Sequence, residues 1–244
     1  MPIDLDKRNE TLTLSLTKKK ISSIRAQVGT VFDRSGSMNN LYKNGTMQEY
    51  ANRLVPLGIR FDDNGSIDNW AFHTKSYKTD NITLTTIDTF VRNNILPITP
   101  GGTSYAPVLN DIYEHYFGKN STQEKQAGFF KGLFTRKDSG SYPQTPIQDP
   151  VYLIFQTDGE NSDQGETDKL LAKIEKQGMY VQFVGIGTEN FSFLKKMADK
   201  YSNVGFFSVR NLETTSDETL YDLLINDEFK TFLKTRFPNN IQEI

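Results

Sequence analysis

The stretch Val28-Gly29-Thr30-Val31-Phe32-Asp33-Arg34-Ser35-Gly36-Ser37-Met38 decides the fold. Its first half is apolar and β-branched, the composition of a buried strand, and the run stops at a carboxylate. Small hydroxyl residues and a glycine follow, so the chain turns tightly and presents several oxygens on one side. Asp33, Ser35 and Ser37 alternate, which leaves Arg34 and Gly36 free to point away. Three hard oxygen donors within five residues suit Mg²⁺ or Mn²⁺.

Working outward, Val151-Tyr152-Leu153-Ile154-Phe155 is a continuous apolar run, as a central parallel strand requires. It ends in Gln156-Thr157-Asp158-Gly159-Glu160, a second strand running into a carboxylate. Ser66 to Phe72, Met179 to Ile186 and Gly205 to Val209 read as further strands, and His73 to Thr83 as a loop or short edge strand. Between them lie helical stripes: Met47, Tyr50, Ala51 and Leu54; Tyr105, Val108, Leu109, Ile112 and Tyr116; and Phe193, Leu194, Met197 and Tyr201. Thr85 to Ile95 reads as a helix, as do Thr167 to Gln177 and the stretch from about Asp217 to Phe237. Strands alternating with helices predict an α/β fold, a doubly wound, mainly parallel six-stranded sheet flanked by helices. Such sheets bind ligands beyond the carboxyl ends of their strands, and Asp33 and Asp158 both fall on that edge.

The ends and the middle of the chain read differently. Residues 1–24 are polar and lysine-rich, and the alternation in Leu12-Thr13-Leu14-Ser15-Leu16 predicts a short strand or a tether. Residues 25–244 read as one domain interrupted at about 118–149 by a polar insertion, whose Phe129-Phe130-Lys131-Gly132-Leu133-Phe134 patch reads as a short packed helix or a docking element. The formal charge of −2 gives no reason to expect nucleic acid as a partner. With no cysteine, disulfides, thiolate metal sites and a cysteine nucleophile are excluded. The amino terminus shows no signal-peptide core and no run is long and apolar enough to span a bilayer, which makes a cytoplasmic location the expectation.

Asp33-x-Ser35-x-Ser37, the threonine of Gly101-Gly102-Thr103 and the aspartate of Thr157-Asp158-Gly159 together resemble the metal-ion-dependent adhesion site of von Willebrand factor A domains. The resemblance covers about residues 25–210, and the sequence is similar to the A-type domains found with bacterial tellurite-resistance and stress-response proteins. It implies a Rossmann-like fold and a metal site made of Asp33, Ser35, Ser37, Thr103 and Asp158. In that pattern the serines coordinate the ion, the threonine does so directly or through water, and the aspartates often act through water. The implied ion is Mg²⁺ or Mn²⁺, with Ca²⁺ a further candidate. The implied function is non-catalytic binding of a protein partner that offers an Asp or Glu to the ion. Physical chemistry agrees: two carboxylates neutralise a divalent cation, while neutral hydroxyls leave it electrophilic toward one more anion. Gly36 is expected to permit the turn, and Gly101-Gly102 a close backbone approach.

The alternative reading is a Mg²⁺-dependent phosphohydrolase with Asp33 as nucleophile. Aspartyl-phosphate chemistry wants a second carboxylate as acid/base, which a resemblance to the haloacid-dehalogenase pattern would place at position 35, where this chain has serine. His73 is a candidate for the rim of the site and His115 for a partly buried surface position. Glu160 reads either as an electrostatic tuner of the site or as an exposed carboxylate at a helix start. Met38, Tyr42 and Tyr105 read either as an aromatic contact rim or as core.

Overall fold

A computed structural model describes residues 5–118 and 149–244. Six strands form the main sheet: β2 (Gln27–Asp33), β3 (Ile67–Phe72), β4 (Ser76–Lys78), β5 (Val151–Thr157), β6 (Met179–Ile186) and β7 (Val204–Val209). Their order is β4-β3-β2-β5-β6-β7, with every pairing parallel except β3 with the edge strand β4. The chain steps outward from β2 to β3, then returns to add β5 on the other side of β2. The strand order therefore reverses between β2 and β5, the switch point at which open sheets hold ligands.

Helices cover both faces. On one face lie α1 (Leu5–Lys18), α3 (Thr46–Phe61), α7 (Asp217–Leu224) and α8 (Asp227–Arg236), packed on Val28, Phe32, Tyr152 and Ile154. On the other lie α4 (Ala106–Phe117), α5 (Gln164–Ile174) and α6 (Ser192–Lys200), packed on Val31, Leu153, Phe155 and Phe183. The short α2 (Asn39–Lys43) follows the decisive stretch. Phe155 and its ring neighbours, Phe72 at 4.9 Å and Tyr105 at 5.0 Å between centroids, lie fully buried beneath the carboxyl edge. Each such ring contributes about 2–3 kcal/mol through burial. Strand side chains alternate between faces, so Asp33 follows Val31, and Thr157 follows Phe155, onto the face that α4 covers.

Three elements differ from the sequence expectations. Leu12 to Leu16 lies within the helix α1, with Leu12 and Leu16 buried and Leu14 exposed, so the expected strand there is replaced by an i, i+4 stripe. Thr85 to Ile95 is a 3₁₀ turn (Ile87–Thr89) followed by a π turn (Val91–Ile95). The C-terminal helix is two helices, broken where Asn226 caps α8 by accepting from Phe229 N at 2.8 Å. Two strands outside the main sheet, β1 (Ile21–Ile24) and β8 (Ile241–Glu243), pair antiparallel. The Phe129 to Phe134 patch and the other residues of 119–148 lie outside the described residues. No described helix is long and apolar enough to cross a membrane.

Candidate metal site

Three loops leave the carboxyl edge around the switch point. The first follows β2. Beyond Asp33 the backbone stays in sheet register for another step: Arg34 N donates to Phe72 O at 2.7 Å, and Gly36 N donates to Gly101 O at 3.0 Å. Ser35 and Gly101 form an isolated parallel bridge, which draws the second loop, carrying Thr103, alongside the first. The third loop follows β5, and its Ser162 donates to the Thr103 carbonyl from both N, at 2.9 Å, and Oγ, at 3.0 Å. The loops are thus tied to one another by backbone bonds.

Within this frame the side-chain oxygens form a row. Ser35 Oγ lies 3.1 Å from Ser37 Oγ, and Ser37 Oγ donates to Asp158 Oδ1 at 2.8 Å. Beneath the row, Asp33 accepts from Ser35 N at Oδ1 (2.7 Å) and from the Thr157 hydroxyl at Oδ2 (2.6 Å). Four of the five expected residues are therefore linked in one cluster. Thr103 is carried to the same rim, half-buried, but its hydroxyl makes no hydrogen bond with any described residue.

Both carboxyls are electrostatically uncomfortable. Burial pushes the Asp33 carboxyl up to about 6, against hydrogen bonds from Thr157 and Ser35 that favour the charged form. Asp158 is likewise raised, chiefly by burial. A cation would relieve both, because a bound divalent ion is the largest local charge and reverses the burial penalty. The donor spacing fits such an ion. Neighbouring ligands of an octahedron with bonds of about 2.1 Å sit about 3 Å apart, and the Ser35–Ser37 and Ser37–Asp158 separations are 3.1 and 2.8 Å. All donors are hard oxygens, and no group of three or more His, Cys, Asp or Glu able to hold a metal occurs among the described residues. The set suits a hard cation rather than one that needs imidazole or thiolate.

The other expected residues take structural places. His73 is buried, its Nδ1 accepts from Thr74 N at 2.6 Å, and its Nε2 lies 2.6 Å from Tyr77 Oη. Its ring abuts Gly101, so it props the second loop from behind. That contact accounts for Gly101: an added Cβ would lie 2.8 Å from the His73 ring. Gly36 does not behave as expected, since a Cβ there would meet open space and its backbone is not left-handed. His115 stands edge-on to Trp70, 3.5 Å from Asp68 at the amino end of β3. Met38, Tyr42 and Tyr105 are core, not a contact rim. Glu160 turns toward α6, accepting from Ser192 Oγ and from Phe193 N at 3.2 Å, and these bonds hold its carboxyl below the usual range.

Three residues that shape the site carry no local sequence signal for that role. Thr157 binds Asp33 from the neighbouring strand. Tyr105 donates its hydroxyl proton to Gly159 O. Asp163 caps α4 from the third loop, taking Tyr105 N at 3.0 Å on Oδ1 and Ala106 N at 2.7 Å on Oδ2.

An open, mainly parallel sheet with hydroxyls and carboxylates converging from three loops at its switch point is the architecture of a von Willebrand A domain. Over residues 25–241 the chain matches the family model for the vWA domain found in the TerF C terminus, and it belongs to this vWA-TerF-like family. It is 29% identical over 236 residues to the uncharacterized protein YcbR of Bacillus subtilis (strain 168), covering 95% of this chain and 86% of that protein. Among solved structures it is similar in fold to proximal thread matrix protein 1 from the mussel byssus, at 14% identity and a TM-score of 0.55, over 83% of this chain and 47% of that one. A structure of the same byssus protein with a zinc-occupied MIDAS motif matches at 16% identity and a TM-score of 0.53, over 84% and 46%. The chain thus spans about half the length of these solved structures.

Proposed function

We propose that this chain is a non-catalytic protein-interaction module whose binding depends on a divalent cation, in a bacterial tellurite-resistance or stress-response system. Asp33, Ser35, Ser37, Thr103 and Asp158 would hold Mg²⁺ or Mn²⁺, with Ca²⁺ also compatible with the oxygen set. The observation that carries the reading is the row Ser35 Oγ–Ser37 Oγ–Asp158 Oδ1, spaced like adjacent ligands of one octahedron above a buried Asp33. When bound, the ion supplies an electrophilic position for a carboxylate from a partner protein. The chain's own groups set the charge: Asp33 and Asp158 balance the ion's two charges, and the neutral hydroxyls add none, so an incoming Asp or Glu meets an attractive site. Without the ion the same two carboxylates repel an acidic partner, which makes recognition conditional on loading. The link to tellurite resistance rests on the family description alone.

The geometry around Asp33 also supports a binding role over the phosphohydrolase alternative. Its carboxylate is fully buried and both oxygens are engaged by Ser35 N and Thr157 Oγ1, whereas a nucleophile must reach a phosphorus atom. The test is affinity capture from a native lysate with the immobilised chain in Mg²⁺, in EDTA, and with Ser35→Ala/Ser37→Ala, alongside a phosphate-monoester turnover assay. The expected result is a protein retained in Mg²⁺, released by EDTA and absent from the double variant, with no turnover. Retention that is identical in all three conditions, or Mg²⁺-dependent turnover abolished by Asp33→Asn, would overturn it.

A further inference from the structure

Beneath the ligand row lies a second layer of hydroxyls outside the five proposed ligands. Thr157 Oγ1 sits at the end of β5, fully buried, and donates to Asp33 Oδ2 at 2.6 Å. Tyr105 Oη, fully buried at the start of α4, lies 3.2 Å from Thr157 Oγ1 and donates to Gly159 O, next to Asp158. Each hydroxyl has one proton. The short contact to a carboxylate takes that of Thr157, so Thr157 Oγ1 faces Tyr105 with a lone pair, and Tyr105 spends its proton on Gly159 O. Every loop that carries a proposed ligand thereby gains a buried anchor: Asp33 under Ser35 and Ser37, Tyr105 two residues after Thr103, and Thr157 immediately before Asp158.

The direction of the Asp33 carboxylate follows from this layer. Ser35 N holds one oxygen and Thr157 holds the other, so the group cannot rotate without leaving a buried oxygen unpaired. Tyr105 in turn fixes the Gly159 carbonyl, in the second peptide beyond Asp158, while its ring packs among Phe72, Phe155 and Phe183. Outer groups of this kind orient metal ligands, and their removal typically lowers metal affinity 10- to 100-fold.

We infer that Thr157 and Tyr105 are positioning residues for the cation, acting through Asp33 and the Gly159 carbonyl without touching the ion. This rests on the proposed metal site and deepens it. The test is calorimetric titration of the full chain with Mn²⁺ and Mg²⁺ for the wild type, Asp33→Ala, Thr157→Val, Thr157→Ser and Tyr105→Phe, with the melting temperature of each measured in EDTA. Thr157→Val should weaken Mn²⁺ binding about 10- to 100-fold, Tyr105→Phe about tenfold, and Thr157→Ser should restore affinity to within about threefold of wild type. Two results would overturn the assignment. One is Thr157→Val and Tyr105→Phe each binding within about twofold of wild type. The other is a loss of affinity that tracks a lowered melting temperature in EDTA and is not restored by Thr157→Ser, which marks a purely structural role. Failure of the metal site itself has a different signature: no binding by the wild type, or Asp33→Ala binding as tightly as the wild type.

Discussion

Replacing Asp33 by Asn should stabilise the metal-free protein at neutral pH while abolishing its response to divalent ions. Burial carries the Asp33 carboxyl from its ordinary 3.8 up to about 6. The folded chain therefore holds that proton more tightly than the unfolded chain, a difference of roughly 3 kcal/mol at 1.36 kcal/mol per tenfold. Below about pH 4 both states are protonated and no penalty exists. Between about pH 4 and 6 the unfolded chain releases its proton first, so stability falls as pH rises; above about 6 the full penalty persists. Asparagine removes the charge and fits the same bonds. Its oxygen accepts from Ser35 N, and its amide donates to Thr157 Oγ1, whose proton turns to Gly159 O at 3.3 Å. The rearrangement costs part of the gain, leaving about 1–2 kcal/mol, or roughly 2–8 °C in melting temperature for a chain of this size. Differential scanning calorimetry in EDTA at pH 7.5 should show the variant melting higher, with the gap closing near pH 4. Adding Mg²⁺ should raise the wild type only. A variant that melts lower than wild type in EDTA at pH 7.5, or a gap that does not change with pH, would rule out a buried, charged Asp33 as the source of the penalty.

Other perturbations read different parts of the frame. Gly101→Ala places a Cβ 2.8 Å from the His73 ring and should cost about 1–3 kcal/mol in urea unfolding, with part of the loss recovered when His73→Ala is added. Asp163→Ala removes both cap bonds to α4 and should lower stability by about 1–2 kcal/mol while weakening Mn²⁺ binding, because the loop carrying Thr103 loses its anchor; an unchanged Mn²⁺ titration would contradict that coupling. Leu12→Ala empties a fully buried position under α1 and should cost about 2–4 kcal/mol in the same cooperative transition, whereas a separate transition would mark α1 as an independent attachment.

Much of this arrangement is written locally. The run from Val28 to Asp33 and the run from Val151 to Thr157 announce buried parallel strands through composition alone, and each ends in the polar group that the site uses. The misreadings have physical causes. In α1, Leu12, Leu14 and Leu16 alternate like a strand, and the β-branched Thr11, Thr13 and Thr17 among and beside them favour one. Yet Thr11, Thr13 and Thr17 fold their hydroxyls back onto carbonyls four residues earlier, which makes them compatible with a helix. Between Ile87 and Val91 the expected helix is interrupted because Gln48, from α3, inserts its amide into the ladder, donating to Ile87 O and accepting from Val91 N. The C-terminal break reflects Asn226, whose amide donates to Gln182 on β6 while its carbonyl caps α8. Thr157, Tyr105 and Asp163 act across loops that meet only once the sheet has formed. No window of sequence contains both partners of those bonds.

Binding by this chain depends, in the proposed function, on hydroxyls and carboxylates from three separated loops meeting at one hard cation. Crystals grown in MnCl₂, measured at the manganese absorption edge, test it most directly. A single strong anomalous peak is expected within about 2.2 Å of Ser35 Oγ and Ser37 Oγ, with Thr103 and Asp158 around the same ion. Density with no peak there, or a peak that leaves both serines out of its coordination, would contradict it.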